Sequence, residues 1–548
     1  MKFTKYITVF IFLLVTLISC ESSFLSPKNP SAISEENVWS DANLIELLVN
    51  QMYNDRRGYE YSNTQDNIVD EGRCNYTGDA PNQILRGQWD QTYNPLDFWA
   101  YQQVRRVNEF LAKIDGATLD EDTKKRLKGE SRFLRAFLYF DMVKRYGGVP
   151  LITNPQDIAE DLMVKRATTK ETFEFIIAEL KLAKDELPVS APRGRASQGA
   201  AMALLGRTLL YAASPLYNEN NNNELWAEAA QVNKELIDLN RYSLYPDLNR
   251  IWLDKASNHV ESIFEIQYKL PEKQHSWDAG LRPLILANNN AGQLSPLQEL
   301  VDAFPMKNGK GINEPGSNYN ANDPYVGRDD RFYAFIAFNG SKVKGTTSGP
   351  PVREITLETY TGGRDYDASK ENTIYNTITS YYTRKAINPD NTIYTGSSGS
   401  DQPWIELRYA EVLLNYAEAQ NEAVSLPDAS IYQVLNTLRR RAGISTDLVV
   451  GSHSKVQMRE LIRNERYVEL CFEKKRYWDL RRWKLAELVL NGKKYHGALI
   501  TKHSNGTFTY IYQEVDATPI VFESKMYFMP IPQVEIDKNG NLEQNPGW

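Results

Sequence analysis

Ala201-Met202-Ala203-Leu204-Leu205-Gly206-Arg207, running on through Tyr211, mixes small residues with large apolar ones at helical spacing. Small side chains let two helices cross closely, and the large ones between them fill the crossing. A second run follows the break at Pro215: Trp226-Ala227-Glu228-Ala229-Ala230, then Leu236-Ile237. Together they read as a helical hairpin. A similar unit recurs at Leu407 to Ala419 and Ile431 to Arg441.

Such pairs resemble the tetratricopeptide hairpin, yet no regular period of about 34 residues links the copies, so the chain is not a simple solenoid. On periodicity alone any antiparallel α-hairpin fits as well. Further helices are expected with Leu44, Leu47, Leu48 and Met52 behind a cap at Ser40 or Asp41, and over Leu96 to Ile114 with Val104, Val107, Phe110 and Leu111 inward. Asp120 to Tyr146 reads as a long helix stopped by Gly147-Gly148 and Pro150. Thr169 to Leu187 and Gln198 to Ala213 end at Pro188 and Pro215. Trp404 to Ala419 reads as one central helix, with Leu407/Leu414/Ala417 and Tyr409/Leu413/Tyr416 as two apolar stripes. Gln457 to Lys475 is expected to turn Leu461, Val468 and Phe472 inward, with Glu460/Arg463 and Arg466/Glu469 paired on the outside.

Between about Tyr242 and Asp401 the pattern changes. Short β-like runs at Ser262 to Tyr268, Phe332 to Phe338 and Ser380 to Lys385 alternate with clusters such as Asn288-Asn289-Asn290-Ala291-Gly292 and Gly345 to Pro351. The expected fold is therefore mainly α: helical hairpins forming a frame over about 31–241 and 403–490, within one domain spanning 31–548. A loop-rich insertion containing short β-strands occupies about 242–402. Binding surfaces concentrate on loops carried by a rigid frame, so the insertion is where a ligand is expected.

At the N-terminus, Lys2 and Lys5 precede an apolar segment from Ile7 to Ile18. It is about a dozen residues long, against the ~20 needed to cross a bilayer, and reads as an export signal over 1–19. Leu17-Ile18-Ser19-Cys20 resembles a lipoprotein cleavage box, which would make Cys20 the lipid-attachment residue and 20–30 a tether. Each acyl chain contributes ~0.8 kcal/mol per buried CH₂, so multiple acylation gives an essentially permanent anchor.

The net charge of −7 argues against a nucleic-acid partner, which needs a basic face. His259, His275, His453, His496 and His503 are scattered, and neither a metal site nor a cofactor motif is expected. Cys471 reads as a small core residue and Cys74 as a loop residue, two separate thiols. Arg476 to Trp483 holds three Arg and two Trp in eight residues. It reads as a structural corner, its Arg paired with Glu465, Glu469 and Glu473, more readily than as a binding patch. No G-x-S-x-G, H-E-x-x-H or P-loop pattern is present.

Several segments together resemble the SusD/RagB family of surface nutrient-binding lipoproteins of Bacteroidetes. They are Leu134-Arg135-Ala136-Phe137-Leu138-Tyr139-Phe140-Asp141 through Arg145-Tyr146-Gly147-Gly148-Val149-Pro150-Leu151-Ile152; Arg328-Asp329-Asp330-Arg331-Phe332; Leu407 to Ala419; Glu465-Arg466-Tyr467-Val468-Glu469-Leu470 with Arg476 to Trp483; and Met529-Pro530-Ile531-Pro532 with Gln544-Asn545-Pro546-Gly547-Trp548. Asp330 stands where a proline is expected and Cys471 where alanine is usual.

The resemblance implies a non-enzymatic protein, lipid-anchored and exposed at the outer-membrane surface. Such a protein binds an oligosaccharide and delivers it to a SusC-like TonB-dependent transporter. A peptide-binding RagB-like member is the alternative, and a surface glycoside hydrolase a more distant one. A sugar site needs a flat apolar surface and polar groups for hydroxyls. Trp277, in the polar loop Lys273-Gln274-His275-Ser276-Trp277-Asp278, is one candidate contact. Trp89, with Asp70, Arg73 and Tyr76 upstream, lies in a region that in similar proteins helps line the glycan site. Trp99 is excluded, its spacing to Gln103 and Arg106 placing it against the body.

Overall fold

The computed structural model describes residues 35–55, 61–74, 80–157, 159–160, 162–283, 286, 292–345, 353–366, 377–391 and 399–548. Cys20, the signal and tether segments, and Tyr76 lie outside the described residues.

Helix α1 (Ala42–Asp55) buries Ile45, Val49 and Met52. This corrects the expected stripe: Leu47 and Leu48 are 58% and 37% exposed, because the i, i+4, i+7 set that meets the core starts at Ile45. The short strand β1 (Gly72–Arg73) follows. Helix α2 (Tyr101–Lys113) buries Val104, Val107 and Phe110 as expected, but starts after an irregular stretch from Leu96.

Asp120 caps α3 (Glu121–Tyr146) by accepting the Thr123 N–H, and Gly147, at φ 72°, ends it in a conformation that a side chain would strain. Helix α4 (Thr169–Glu186) opens with a Thr168/Glu171 capping box. Helix α5 (Gln198–Ala213) is buried on nearly every side and α6 (Asn223–Asp238) on one stripe. Helices α3 to α6 pack in succession, each on the next. Gly206 marks the α5–α6 crossing: a Cβ there would sit 2.6 Å from Asn233 Oδ1, so close approach depends on its absence.

The region read as an insertion consists of short elements joined by loops. These include β2 (Ser262–Ile266), α7 (Trp277–Leu281), β3 (Ser295–Pro296), α8 (Asp330–Phe335), β4 (Ile336–Ala337), β5 (Lys342–Gly345), β6 (Arg353–Thr356) and β7 (Tyr382–Thr383). Strand β1 pairs with β3, β4 with β7, and β5 with β6, all antiparallel. Phe332 to Phe338, expected as β-like, is mostly helical: Asp329 accepts the Phe332 N–H and starts α8. Asp330 is its first residue, a position that suits proline and acidic side chains alike.

A second correction concerns Trp404 to Arg408, which form strand β8 rather than the start of a helix. Trp404 pairs with Ile266 and Arg408 with Ser262. A short apolar run is ambiguous between helix and strand, and its partner lies far away in sequence. Helix α9 (Tyr409–Ala423) begins only after it, followed by α10 (Ala429–Arg441), α11 (Lys455–Glu469) and α12 (Lys475–Arg482). The chain closes with the hairpin of β9 (His496–Lys502) and β10 (Phe508–Glu514) and an irregular tail.

Helix α11 departs from expectation in one respect that organises the whole molecule. It buries Glu465, Arg466 and Glu469, while Leu461 is only half-buried. Arg466 pairs with Asp479 at 3.0 Å rather than with Glu469. Arg408 reaches Glu261, Glu469 and Glu473 at 2.8, 2.8 and 2.7 Å. Arg331 joins Asp329 and Glu465 at 2.6 and 2.8 Å, and Arg439 also meets Glu465, at 2.7 Å. Buried charges persist only when paired and hydrogen-bonded, so these groups lock one another in place. Arg331 comes from the insertion and Glu465 from the helical frame; the network bolts the two together.

The Arg476 to Trp483 corner is structural, with partners other than those expected. Arg476 binds Asp70 at 2.6 Å, and Arg482 binds Glu418 and Asp479 at 2.5 and 2.8 Å. Glu465, Glu469 and Glu473 are already held by other cations. Cys471 is buried and forms no disulfide with Cys74.

Candidate ligand-binding cleft

The short elements of the insertion enclose a cleft of about 540 Å³. That volume falls within the range of small-ligand sites, roughly 300–1,000 Å³. Its floor is set by α8 and the residues that follow. Phe338 is half-buried, its ring 4.5 Å from that of Tyr325 and stacked at 5.0 Å on Phe332. Tyr333 is also half-buried; its hydroxyl donates to the Tyr325 carbonyl at 2.7 Å and accepts the Arg328 N–H at 3.2 Å. The two rings are thus fixed from behind, and both line the cleft.

One wall is the β5–β6 hairpin, whose alternation turns Val343 inward and Lys342 and Lys344 outward. Lys342 meets Glu354 across the hairpin at 2.8 Å. This hydrogen bond and the lysine's charge hold the Glu354 carboxyl below the usual glutamate range.

A second wall is the segment from Arg384 to Ile387. Arg384 donates its backbone N–H to the Phe335 carbonyl at 2.8 Å, which extends the β4–β7 pairing by one bond. Its guanidinium is half-buried, burial lowers its pKa, and among the described residues no carboxylate pairs with it. Lys385 turns the other way, giving its ammonium to Glu473 at 2.5 Å and to the carbonyls of Glu469 and Cys471 at 2.9 Å each. Asp278 steadies the loop beyond, accepting from the Asn388 N–H, Asn391 Nδ2 and Gln402 Nε2 at 2.9, 2.8 and 3.0 Å.

The residues named from sequence lie elsewhere or deeper. Trp277 is 3% exposed, so its face is not open to a sugar; this corrects its place among the candidate contacts. Its polar neighbours Lys273 and Gln274 are exposed, but α7 rolls Trp277 and Leu281 into the core. Trp277 still abuts the cleft from behind, donating its indole N–H to the Lys385 carbonyl at 3.2 Å.

Trp89 is buried against Trp548, ring centroids 4.7 Å apart, in a seam with the C-terminal tail. Asp70 is consumed by Arg476. Arg73 is buried and held by Asp516 at 2.7 Å. As open contacts, Trp89, Asp70 and Arg73 are therefore corrected as well: each is occupied by an internal partner. Trp99 packs 5.2 Å from Tyr146, against the body as expected.

Tyr333, Phe338 and Arg384 were not singled out in the sequence. Tyr333 follows directly on the Arg328 to Phe332 motif, and Arg384 sits in the Ser380 to Lys385 run, so the signals were local but carried no mark of exposure.

A family model described as the SusD family matches residues 260–548, a span that takes in both cleft walls and the aromatic floor. The chain belongs to the SusD family. A second model, described as starch-binding associating with outer membrane, matches residues 23–210 of this SusD-family chain. SusD-like protein P2 of Formosa agariphila is 24% identical over 99% of this chain and 100% of its own length. A solved SusD-like protein of Bacteroides fragilis aligns with a TM-score of 0.79 at 29% identity, covering 94% of this chain and 99% of that one. Another from the same organism, described as a SusD-like carbohydrate binding protein, aligns at 0.76 and 22% identity over 92% of this chain and all of its own. The mainly helical, loop-inserted architecture is that of the SusD family.

Proposed function

We propose that this protein captures an oligosaccharide non-covalently in the cleft between Tyr333, Phe338 and Arg384 and passes it to a SusC-like TonB-dependent transporter. A lipid on Cys20 would hold it at the outer-membrane surface. The observation that carries this reading is the juxtaposition, in one cleft of the insertion, of two fixed aromatic rings with a guanidinium that no described carboxylate engages. Rings cover sugar C–H faces and the guanidinium reaches hydroxyl or acidic oxygens.

Family membership supports a carbohydrate-binding role, as does the likeness to a solved relative described as carbohydrate binding. The second family description supports association with the outer membrane. A glycosidase needs one carboxyl whose pKa is raised to act as acid. Glu354, in the cleft, is shifted the opposite way by Lys342.

The test is affinity gel electrophoresis of the purified chain through a polysaccharide panel, with reducing ends measured in parallel. Retardation by at least one polysaccharide with no release of reducing ends is expected. Retardation by none, or steady release of reducing ends, contradicts the proposal. Co-purification with a barrel transporter from solubilised outer membranes, and loss of membrane attachment in Cys20→Ala, check the partner and the anchor.

A further inference from the structure

The protein as a whole carries a net charge of −7, yet among the described residues its cleft is lined by six cationic side chains and two anionic ones. Three of the six are committed to the scaffold. Lys342 is held by Glu354, and Lys385 points away to Glu473. Arg282 donates to the carbonyls of Asn388 and Asn391 at 2.6 and 3.2 Å.

The other three are Arg250, Lys344 and Arg384; none forms an ion pair with a described residue, though Lys344 lies near enough to Glu354 to help lower its carboxyl. Against them stands Asp247, whose carboxylate already accepts the Asn249 N–H at 3.0 Å. Arg384 is the most telling, because a half-buried guanidinium in a cleft also lined by two aromatic rings loses hydration with no described anion paired to it. Such a group is preorganised for an anion brought by a ligand.

We propose that the cleft selects an acidic oligosaccharide, one carrying carboxylate or sulfate groups, with Arg384 as the principal anion contact and Arg250 and Lys344 at the rim. This rests on the carbohydrate-binding reading above and narrows it to a charge class. The rings supply a surface indifferent to charge. The cations then discriminate, since a neutral sugar leaves Arg384 without a counter-charge.

Calorimetric titration of the full chain tests this with matched probes: oligogalacturonates against their methyl esters, sulfated galactan oligosaccharides against their desulfated forms, neutral β-glucan oligosaccharides, and a Glu-rich peptide. The expected result is binding to a carboxylated or a sulfated member at least about tenfold tighter than to its neutral counterpart. That affinity should weaken as salt rises. Which arm binds identifies the source of the anion. Arg384→Gln should lower affinity for the charged member by about tenfold or more, and Arg384→Lys by less. Lys344→Gln, on the exposed face of the hairpin, should lower it without change in thermal stability.

A neutral oligosaccharide that binds as tightly as its charged counterpart overturns the acidic selectivity and leaves the carbohydrate reading standing. Binding of the Glu-rich peptide in place of every glycan overturns both. Unchanged affinity in Arg384→Gln removes that residue's assigned role and with it the proposal.

Discussion

Trp277 and Lys385 form the hinge-pin of the cleft wall: the indole N–H of the first holds the backbone carbonyl of the second at 3.2 Å, while the lysine ammonium is drawn to Glu473 on the frame side. Arg384, one residue earlier, is thereby presented to the cleft. Its position is set by buried contacts rather than by the loop's own propensity.

Trp277→Phe keeps most of the packed ring and removes only the donor. It should cost about 1–3 kcal/mol, the penalty for leaving a buried acceptor unmet, and lower ligand affinity several-fold by loosening the wall. Urea denaturation alongside titration reads both; unchanged stability would show that the bond does not hold the wall.

Arg331→Met strands the Asp329 carboxylate and takes from Glu465 one of its two cationic partners, Arg439 remaining; both carboxylates have almost no exposure. Removing one partner of a buried ion network costs about 3–5 kcal/mol. The same change should loosen α8 and with it Tyr333, so hydrogen exchange of residues 330–338 should accelerate relative to the α5–α6 hairpin.

Stability should depend on pH with two opposing limbs. Burial pushes the Glu418 carboxyl up, but the charge and hydrogen bond of Arg482, with Arg466 behind, outweigh it and leave the group at about 2 against an ordinary 4.5. A lowered pKa means the folded state holds the proton more weakly. Its contribution is full above about pH 4.5 and is lost as pH falls toward 2. Asp66 has the opposite sign. Burial, only partly countered by Lys474, raises it to about 6 from 3.8. That contribution is present below 3.8 and is lost as pH rises through 6. Melting temperature against pH should therefore fall less steeply on the acid side in Glu418→Gln and decline less between about pH 4 and 6 in Asp66→Asn.

Gly206→Ala places a methyl carbon against the buried amide of Asn233, whose Nδ2 donates to the Ala229 carbonyl at 2.8 Å. Overpacking at this crossing should destabilise by about 1–3 kcal/mol, measured by chemical denaturation. A neutral outcome would mean that the hairpin can open without cost.

The helical frame was legible because its signals are local. Asp120 and Gly147 bound α3 by chemistry that acts within a few residues, and the small residues of α5 announce a close crossing wherever the partner lies. What escaped depends on distant partners. Trp404 to Arg408 reads as helix until Ile266 and Phe264 are brought alongside as a strand. Arg466 and Glu469 read as a surface pair because three-residue spacing favours one, but Asp479 and Arg408 claim them from across the core.

The site was legible only as a region. Polar neighbours made Trp277 look exposed, although burial is decided by what packs over a residue and not by what flanks it. Tyr333 lies in α8, Phe338 just beyond β4 and Arg384 just beyond β7, and no spacing rule joins the first two to the third.

The most direct measurement is a crystal structure of the full chain with the oligosaccharide that retards it most strongly in affinity gels. Sugar density in the cleft, against the Tyr333 and Phe338 rings and within hydrogen-bond reach of the Arg384 guanidinium, is the predicted result. Well-ordered sugar elsewhere, with this cleft empty, would contradict it.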